Sequence, residues 1–501
     1  VADRLGPSTE NADVDTTERA ADQASPADHE GEARRPRLDL RHPDANLVVV
    51  LLLLVVGVRI GLSSLHDNSF FTHLATGRLI LDTGSVPGHD PYSWTAPGHA
   101  WTVQSWGASV FYGSVERVMG LVGIRLFDTA CIVVLILLLW RLTRPAQSLL
   151  GRVIPTGIAV CMGTALWVER PLLFGAVGLA LVLLAADDGL DPRWLVPVMW
   201  VWVNTHGSFP FGVGVLVLLA AGRWLDDHRR PVVELRALAW ATLGTLLGGI
   251  NPIGPKILVF PLQLLNRRDA FKGVAEWEPP HFHRGVELFF AAQVVLGVAL
   301  LLSRHRKWRA VLPLVVFAAA AMTGTRNILQ ASIVFTPILA AAAVGLGSID
   351  GERPHRLLRP VAVALVVLLA LVTVFGLSEP NTRMDLYPVA ATTYLRRHGM
   401  LDVGDRVIAR DYVGNYLEYR YGPDQTKVFI DDRVDMYPLP VIRDFSAMLD
   451  PQRDYAPILD HYRPTAVLWR RDTPMGRWLS HAKAWRVTYR DRHWMVAVPA
   501  G

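Results

Sequence analysis

Hydrophobic positions in this chain come in unbroken runs, not in the one-sided stripes of helices that face water. Residues 47–58, 131–140 and 361–375 carry no polar stripe at all, whereas a surface helix would show one every three or four residues. A bilayer core about 30 Å thick takes about 20 apolar residues per helix. One such run fits a buried core helix. Their repetition along the chain predicts a polytopic membrane protein.

Spans are expected at 47–65, 121–140, 153–168, 172–186, 194–203, 209–221, 235–250, 286–302, 311–322, 328–346 and 361–377, about eleven in all. The fifth reads as a half-helix broken at Asn204. Residues 104–120 carry Glu116 and Arg117 on an amphipathic pattern with Trp106, Val110, Phe111 and Val118 apolar. They read as a helix lying on the interface, as does 70–81, with Phe70, Leu74 and Leu81 on one side. The membrane part is therefore 46–377, with a first outer loop at 66–120 and a long outer loop at 251–285.

After residue 377 the pattern changes to short alternating stretches. Strands are expected at 406–409, 427–430, 465–469, 485–489 and 494–498, and helices at 388–398 and 441–448. About 120 residues suffice for one small α/β domain, here 378–501. Residues 1–45 are different again. Nine acids among Ser, Thr, Ala and Pro precede Arg34, Arg35, Arg37 and Arg41, which predicts a disordered tail. The tail is too polar for a signal peptide, so the first span is expected to act as an uncleaved start-transfer helix.

Charge orients these segments, because Lys and Arg stay preferentially in the cytoplasm. With the N-terminus inside, the inner segments hold nineteen basic residues and the outer ones, before the last span, nine. The expected result is a cytoplasmic tail and an extracytoplasmic C-terminal domain. Composition agrees with a membrane chain, at 51% hydrophobic and 19% charged. Only five of the 50 basic residues are Lys, which, with the load of Ala, Gly and Val, predicts a GC-rich bacterial coding sequence of the actinobacterial kind and a bacterial plasma membrane. Cys131 and Cys161 both fall inside apolar runs, so neither a disulfide framework nor a thiol metal site is expected. There is no basic–aromatic stripe for nucleic acid and no Gly-rich phosphate loop after a strand.

This topology gathers the polar side chains at one level. Outer ends carry His66, Asp67, His73 and Arg78; Glu169 and Arg170; Asn204, His206 and Gly207; Asn251, Lys256, Glu276, Trp277, Glu278, His281 and His283; and Arg326 with Asn327. Polar residues at membrane depth are costly and tend to mark sites. The acidic segment VFIDDRVDMY (428–437) follows an expected buried strand, where α/β folds often place ligand contacts. Asp431, Asp432 and Arg433 there fit helix capping and mutual pairing equally well.

The stretch HDNSFFTHLATGRLI (66–80), together with WVNTHGSF (202–209), NPIG (251–254), EWEPP (276–280), TRN (325–327) and VFIDDRVDMY, resembles a bacterial branch of the GT-C membrane glycosyltransferases. The resemblance runs over most of the chain from about residue 47. It implies a GT-C-like helical membrane domain that takes a sugar from a polyprenyl-phosphate carrier and transfers it, with inversion, to a cell-envelope glycan, lipid or protein acceptor outside the cytoplasm. Asp67 matches the first-loop carboxylate that acts as general base or binds metal and acceptor. Glu169 stands where a second acid often sits. No paired DE or DxD occurs in the first loop, so a divalent cation, Mg2+ or Mn2+, stays an open question.

The chemistry of such a transfer fits the residues on this face. One base is needed at the acceptor hydroxyl, and positive groups must stabilise the departing phosphate. Arg326, Arg170 and Lys256 are available, with His281 or His283 beside them. Asp431 and Arg433 join His66, His73, Arg78, His206, Glu276 and Asn327 as expected substrate contacts. Trp94, Trp101 and Trp106 fit either sugar stacking or an interfacial belt. Asp67 also fits a helix N-cap or an ion pair with Arg59. His281-x-His283 has weak zinc spacing. Two other classes of function remain. A transporter or flippase for a lipid-linked solute predicts internal repeats and charges near the midplane, while a non-catalytic scaffold predicts only an outer binding domain.

Overall fold

The computed structural model describes residues 42–303, 307–344, 351 and 353–500; the tail expected over 1–45 lies outside the described residues as far as residue 41. Every segment expected to span coincides with a helix. The membrane part comprises α1 (Ala45–Gly61), α2 (Asn68–Thr83), α3 (Trp106–Leu142), α4 (Leu149–Leu166), α5 (Leu172–Ala186), α6 (Leu195–Thr205) and α7 (Pro210–Asp227). It continues with α8 (Val232–Leu247), α9 (Lys256–Asn266), α10 (Gly285–Ser303), α11 (Trp308–Met322), α12 (Ile328–Ala342) and α13 (Leu358–Ser378). Among the described residues four helices are long and apolar enough to cross a membrane: the one spanning 106–146, α4, α10 and α13. The last of these buries only Ala362 and Gly376. The rest of its apolar surface is uncovered, as on a helix that faces lipid.

Local chemistry sets the ends. Asp44 caps α1 by accepting from the Leu47 amide at 2.7 Å, and Ser148 caps α4 through the Gly151 amide at 3.2 Å. The long helix α3 is two helices in series. Gly120 breaks it at φ 66°, ψ −167°, a left-handed backbone that glycine adopts without steric cost. The amphipathic half expected to lie on the interface thus turns away from the apolar half. It packs closely on α2, for a Cβ at Gly77 would sit 1.9 Å from the Ser109 carbonyl oxygen. The Gly of the first-loop motif is there for that contact. The fifth expected span ends at Thr205, not at Asn204. Asn204 stays helical, donating to the Trp200 and Gly248 carbonyls and accepting from Trp106 Nε1.

Beyond α13 the C-terminal domain, expected on the outer side and called the outer domain for that expectation, holds α14 (Val389–Arg397), β1 (Val407–Ile408), α15 (Asp411–Tyr421), α16 (Leu439–Leu449), α17 (Ala456–Tyr462), β2 (Ala466–Arg470), α18 (Pro474–Leu479), β3 (Trp485–Arg490) and β4 (Trp494–Pro499). The sheet runs β1-β2-β4-β3, with β1 and β2 parallel and the other pairs antiparallel. The strand expected at 427–430 is not part of it. Those residues bridge instead to the first outer loop, the Val428 amide donating to Tyr92 O at 2.9 Å and the Trp94 amide to Val428 O at 3.0 Å. Val428, Phe429 and Ile430 are apolar because that loop covers them.

A second tie joins Leu65 to Asn381 and Arg383 through backbone bonds of 2.9 and 3.0 Å. One hydrophobic core runs through α2, the first loop and the outer domain. Segments assigned to one face of the membrane also meet one another. Among those expected on the inner side, Arg309 bonds Glu234 and Asp187, and the Trp308 amide bonds Asp226.

Candidate functional site

Asp67 caps α2, its Oδ1 accepting from the Ser69 amide at 2.9 Å, as an N-cap does. Its Oδ2 accepts from Arg170 Nε at 2.6 Å. Arg170 stands in the turn before α5 and reaches further, donating from Nη1 to Glu276 at 2.6 Å. One guanidinium therefore joins the first loop to the long outer loop. Glu169, the neighbour of Arg170, points the other way. Its Oε1 accepts from the backbone amides of His66 and of Asp67, the latter at 2.6 Å. Glu169 holds the loop that presents Asp67.

Electrostatics follow from this burial. Burial pushes the Glu169 carboxyl above its ordinary range, against the opposing pull of the Asp67 amide. Burial also works against the Arg170 charge, yet Asp67 and Glu276 beside it hold its pKa above the usual guanidinium value. His73 and His206 are pushed down to about 4 and about 3, by burial first and then by the arginines nearby. Both rings are neutral at physiological pH. The Ser208 amide donates to His206 Nδ1 at 3.2 Å, which leaves the proton on Nε2.

Of these groups Arg170, His73 and His206 line a polar cavity of about 230 Å³, whereas Asp67 and Glu169 stand behind its wall. The wall also includes Ser69, Thr72 and Thr76 of α2, the first-loop segment Trp101–Ser105, Glu276, Arg326 and the outer-domain residues Asp432, Arg433 and Asp435. Beside it lies a second cavity of about 960 Å³ lined mainly by apolar side chains of α7, α9 and α11. Arg326 lines both, its guanidinium 4.0 Å above the Trp277 ring. Burial and the Arg170 charge keep Arg326 short of counter-charge, with Glu276 opposing them, and its pKa is lowered. A cation so placed favours an anion at the mouth between the two cavities.

No family model matches the sequence, and no curated protein matches it. Solved structures do. The Archaeoglobus fulgidus oligosaccharyltransferase, tethered with an acceptor peptide containing the NVT sequon, matches with a TM-score of 0.53 at 11% identity, over 85% of this chain and 69% of that one. Its apo form gives 0.50 at 10% identity over the same shares. The arabinofuranosyltransferase AftD from Mycobacteria gives 0.48 at 15% identity, over 90% of this chain and 41% of that one. The neighbours are GT-C membrane glycosyltransferases. This chain has the GT-C fold.

Within this GT-C fold, several expected site residues serve the scaffold. Arg78 donates to Glu116 and, at 2.9 Å, to the Tyr419 carbonyl, so it is a strut between α2, α3 and α15. Lys256 is exposed at the start of α9 and lines neither cavity. His281 and His283 are exposed as well, His281 lying 3.9 Å from Glu278. Asn327 lines the apolar cavity but bonds back to Ala320 O at 2.9 Å. Asp431 is sealed, accepting from Arg433 at 2.5 Å and from the Tyr437 hydroxyl at 2.6 Å. His66 holds its place through its backbone, with its ring largely exposed.

The expected Arg59–Asp67 pair is absent, since Arg59 pairs with Glu379 at 3.2 Å. Of the three first-loop tryptophans, Trp94 packs on Phe429 and Tyr462, and Trp106 donates to Asn204 at 2.8 Å. Only Trp101 reaches the cavity, beneath Arg433 at 4.4 Å. Sequence reasoning passed over Asp435 and gave Asp432 no role in the site. In a segment whose ten residues carry four charges, three of them consecutive, nothing in the pattern says which acid turns inward. For a divalent cation, the residues do not fit. Among the described residues no three of His, Cys, Asp or Glu stand together for a metal, and Asp67 is already engaged by the Arg170 guanidinium.

Proposed function

We propose that this GT-C chain is an inverting glycosyltransferase that moves a sugar from a polyprenyl-phosphate carrier to a hydroxyl acceptor on the outer face of the membrane. The observation that carries this is the meeting of an apolar groove with a small polar cavity at Arg326. The groove accepts a prenyl chain by burying it among aliphatic and aromatic side chains. The polar cavity, walled by serines, threonines, neutral histidines and acids, accepts a single sugar, and the phosphate between them lies by Arg326 and Arg170.

The reaction is a displacement at the anomeric carbon. The acceptor oxygen forms the new bond there as its hydroxyl proton passes to a carboxylate of the site, while the bond to the phosphate oxygen breaks and its electron pair passes to the phosphate. Arg170 and Arg326 stabilise that developing charge, in a site where fixed cations act without reorganising. Asp67 holds the Arg170 guanidinium in place and completes the reaction centre, and Glu169 fixes the loop that carries it. In this reading the chain crosses the bilayer about eleven times, with a cytoplasmic N-terminus and the outer domain closing the site from outside, against a cell-envelope acceptor.

The test uses purified full-length protein and a panel of radiolabelled polyprenyl-phosphate sugars, comparing wild type with Asp67→Asn. Transfer from one member of the panel is expected, and a fall of at least about a hundredfold in the variant. Undiminished turnover in Asp67→Asn would remove that residue from the reaction centre, and no transfer from any polyprenyl-phosphate sugar would end the reading.

A further inference from the structure

Two carboxylates meet at the first turn of α2, and they are not equivalent. Asp67 has both oxygens occupied, one by the Ser69 amide and one by Arg170. With both oxygens already accepting, neither is free to receive the proton of an acceptor hydroxyl. Asp432 comes from the outer domain. Its backbone amide donates to Asn415 Oδ1 at 3.1 Å, which fixes the loop and turns the side chain into the cavity wall. Among the described residues no ion pair holds it, and it shares the cavity wall with Ser69 of α2.

We propose that Asp432 is a catalytic residue: it accepts the proton of the acceptor hydroxyl, while Asp67 remains the hydrogen-bonded partner of Arg170. The proposal rests on the transferase reading of the same site and assigns its base. As the acceptor oxygen bonds to the anomeric carbon and the phosphate leaves with its electron pair, the hydroxyl proton moves to the Asp432 carboxylate. It passes to water when the products depart, and no oxidant, reductant or metal is needed.

The surroundings of Asp432 suit that role. Burial, followed by the charges of Asp431 and Asp67, raises its pKa to about 7, with Ser69 and Arg170 pulling the other way. A base works best when its pKa lies near the working pH. Tyr387 also faces it, from the segment before α14. Across the cavity stand Glu276, Arg326, Asp435 and the two neutral histidines, His73 and His206. Arg433 closes the same wall, with its own charge met by acids.

The experiment measures kcat and KM for sugar transfer by the full-length protein between pH 5 and 9, for wild type, Asp432→Asn and Asp432→Glu. Wild type is expected to lose activity as pH falls through about 7. Asp432→Asn should lower kcat at least a hundredfold with donor KM within threefold, and the remaining rate should no longer fall in acid. Asp432→Glu should restore part of kcat and shift the acid limb. A variant Asp432→Asn with kcat within threefold of wild type and the same acid limb overturns the proposal and leaves the transferase reading standing. If Asp432→Asn does not fold, an acid limb that stays in place in Asp432→Glu overturns it. A wild type that transfers no sugar ends both.

Discussion

Two arginines beside the outer domain each gather carboxylates, and the difference between them separates scaffold from chemistry. Arg433 lies 2.5 Å from Asp431, 2.8 Å from Asp90 and 3.6 Å from Glu418, all with side chains no more than 5% exposed. Tyr92 and Trp101 face its guanidinium at 4.8 and 4.4 Å. Thr72 of α2 closes the group by donating to Glu418 at 2.9 Å. Burial and then the Asp431 charge raise the Glu418 pKa well above its ordinary value. Among the described residues Arg170 is ion-paired with two acids, Asp67 and Glu276, with side chains 10% and 46% exposed; both arginines line the polar cavity, but the Arg170 side chain is 27% exposed against 5% for Arg433. The first cluster bolts the first loop to the outer domain; the second leaves its charges within reach of a substrate.

The largest effect expected from this contrast is on stability. Replacing Arg433 with Gln leaves buried carboxylates without their cation, and breaking such a pair costs about 3–5 kcal/mol. The purified protein should show a large drop in unfolding midpoint, and activity should vanish with the fold. An unchanged midpoint would mean that the cluster is not the bolt described here. Arg170→Gln should do the opposite. Its own side chain and that of Glu276 are 27% and 46% exposed, so the midpoint should move little, while transfer falls by about a hundredfold or more, the usual cost of removing one stabilising donor. Equal destabilisation by the two substitutions would erase the distinction.

The helical architecture was readable from the sequence because an apolar run without a polar stripe is at home only in lipid or in a protein core. This chain has too many such runs for a single core, and helices stand at each of those positions. That polar side chains gather where the runs stop was legible in the same way. The rest depended on packing. α15 escaped notice because its buried side includes Asn415 and Glu418, polar residues that erase the periodic signal a core helix normally gives. Residues 427–430 looked like a sheet strand because they are apolar and short. Their partner is a loop more than 300 residues away, which no local pattern encodes. In the acidic segment, Asp431 turns into the Arg433 cluster and Asp432 into the cavity. That choice is made by Asn415 and Ser69, both distant in sequence.

A smaller effect should appear in the pH dependence of stability. The Asp432 pKa in the fold is about 7, raised from 3.8. A carboxyl raised in this way favours folding while protonated; that contribution is complete below about pH 4 and is lost as pH rises through 7. Asp432→Asn removes the loss. The variant should therefore match wild type near pH 4 and exceed it at pH 8, by on the order of 1–2 kcal/mol after allowance for water in the cavity, even as transfer falls. A variant less stable than wild type at pH 8 would show that Asp432 belongs with the bolt and not with the site. Its gain with pH would also separate a group kept for chemistry from one kept for the fold.

The smallest effects are expected where charge lies outside both clusters. Lys256 and His281 looked like phosphate ligands because they share an outer loop with Glu276, yet both side chains stand in solvent and line neither cavity. Exposed charges contribute little to stability, within about 0.5 kcal/mol on substitution, and across water their pull on a buried phosphate is screened within about 8–10 Å. Lys256→Ala and His281→Ala should each keep transfer within threefold of wild type, with unaltered salt dependence. A tenfold loss in Lys256→Ala that high salt reproduces in wild type would show that the long outer loop steers the anionic donor before it reaches Arg326. The open cluster would then extend past the cavity to the membrane surface, where long-range charge governs arrival and not the chemical step.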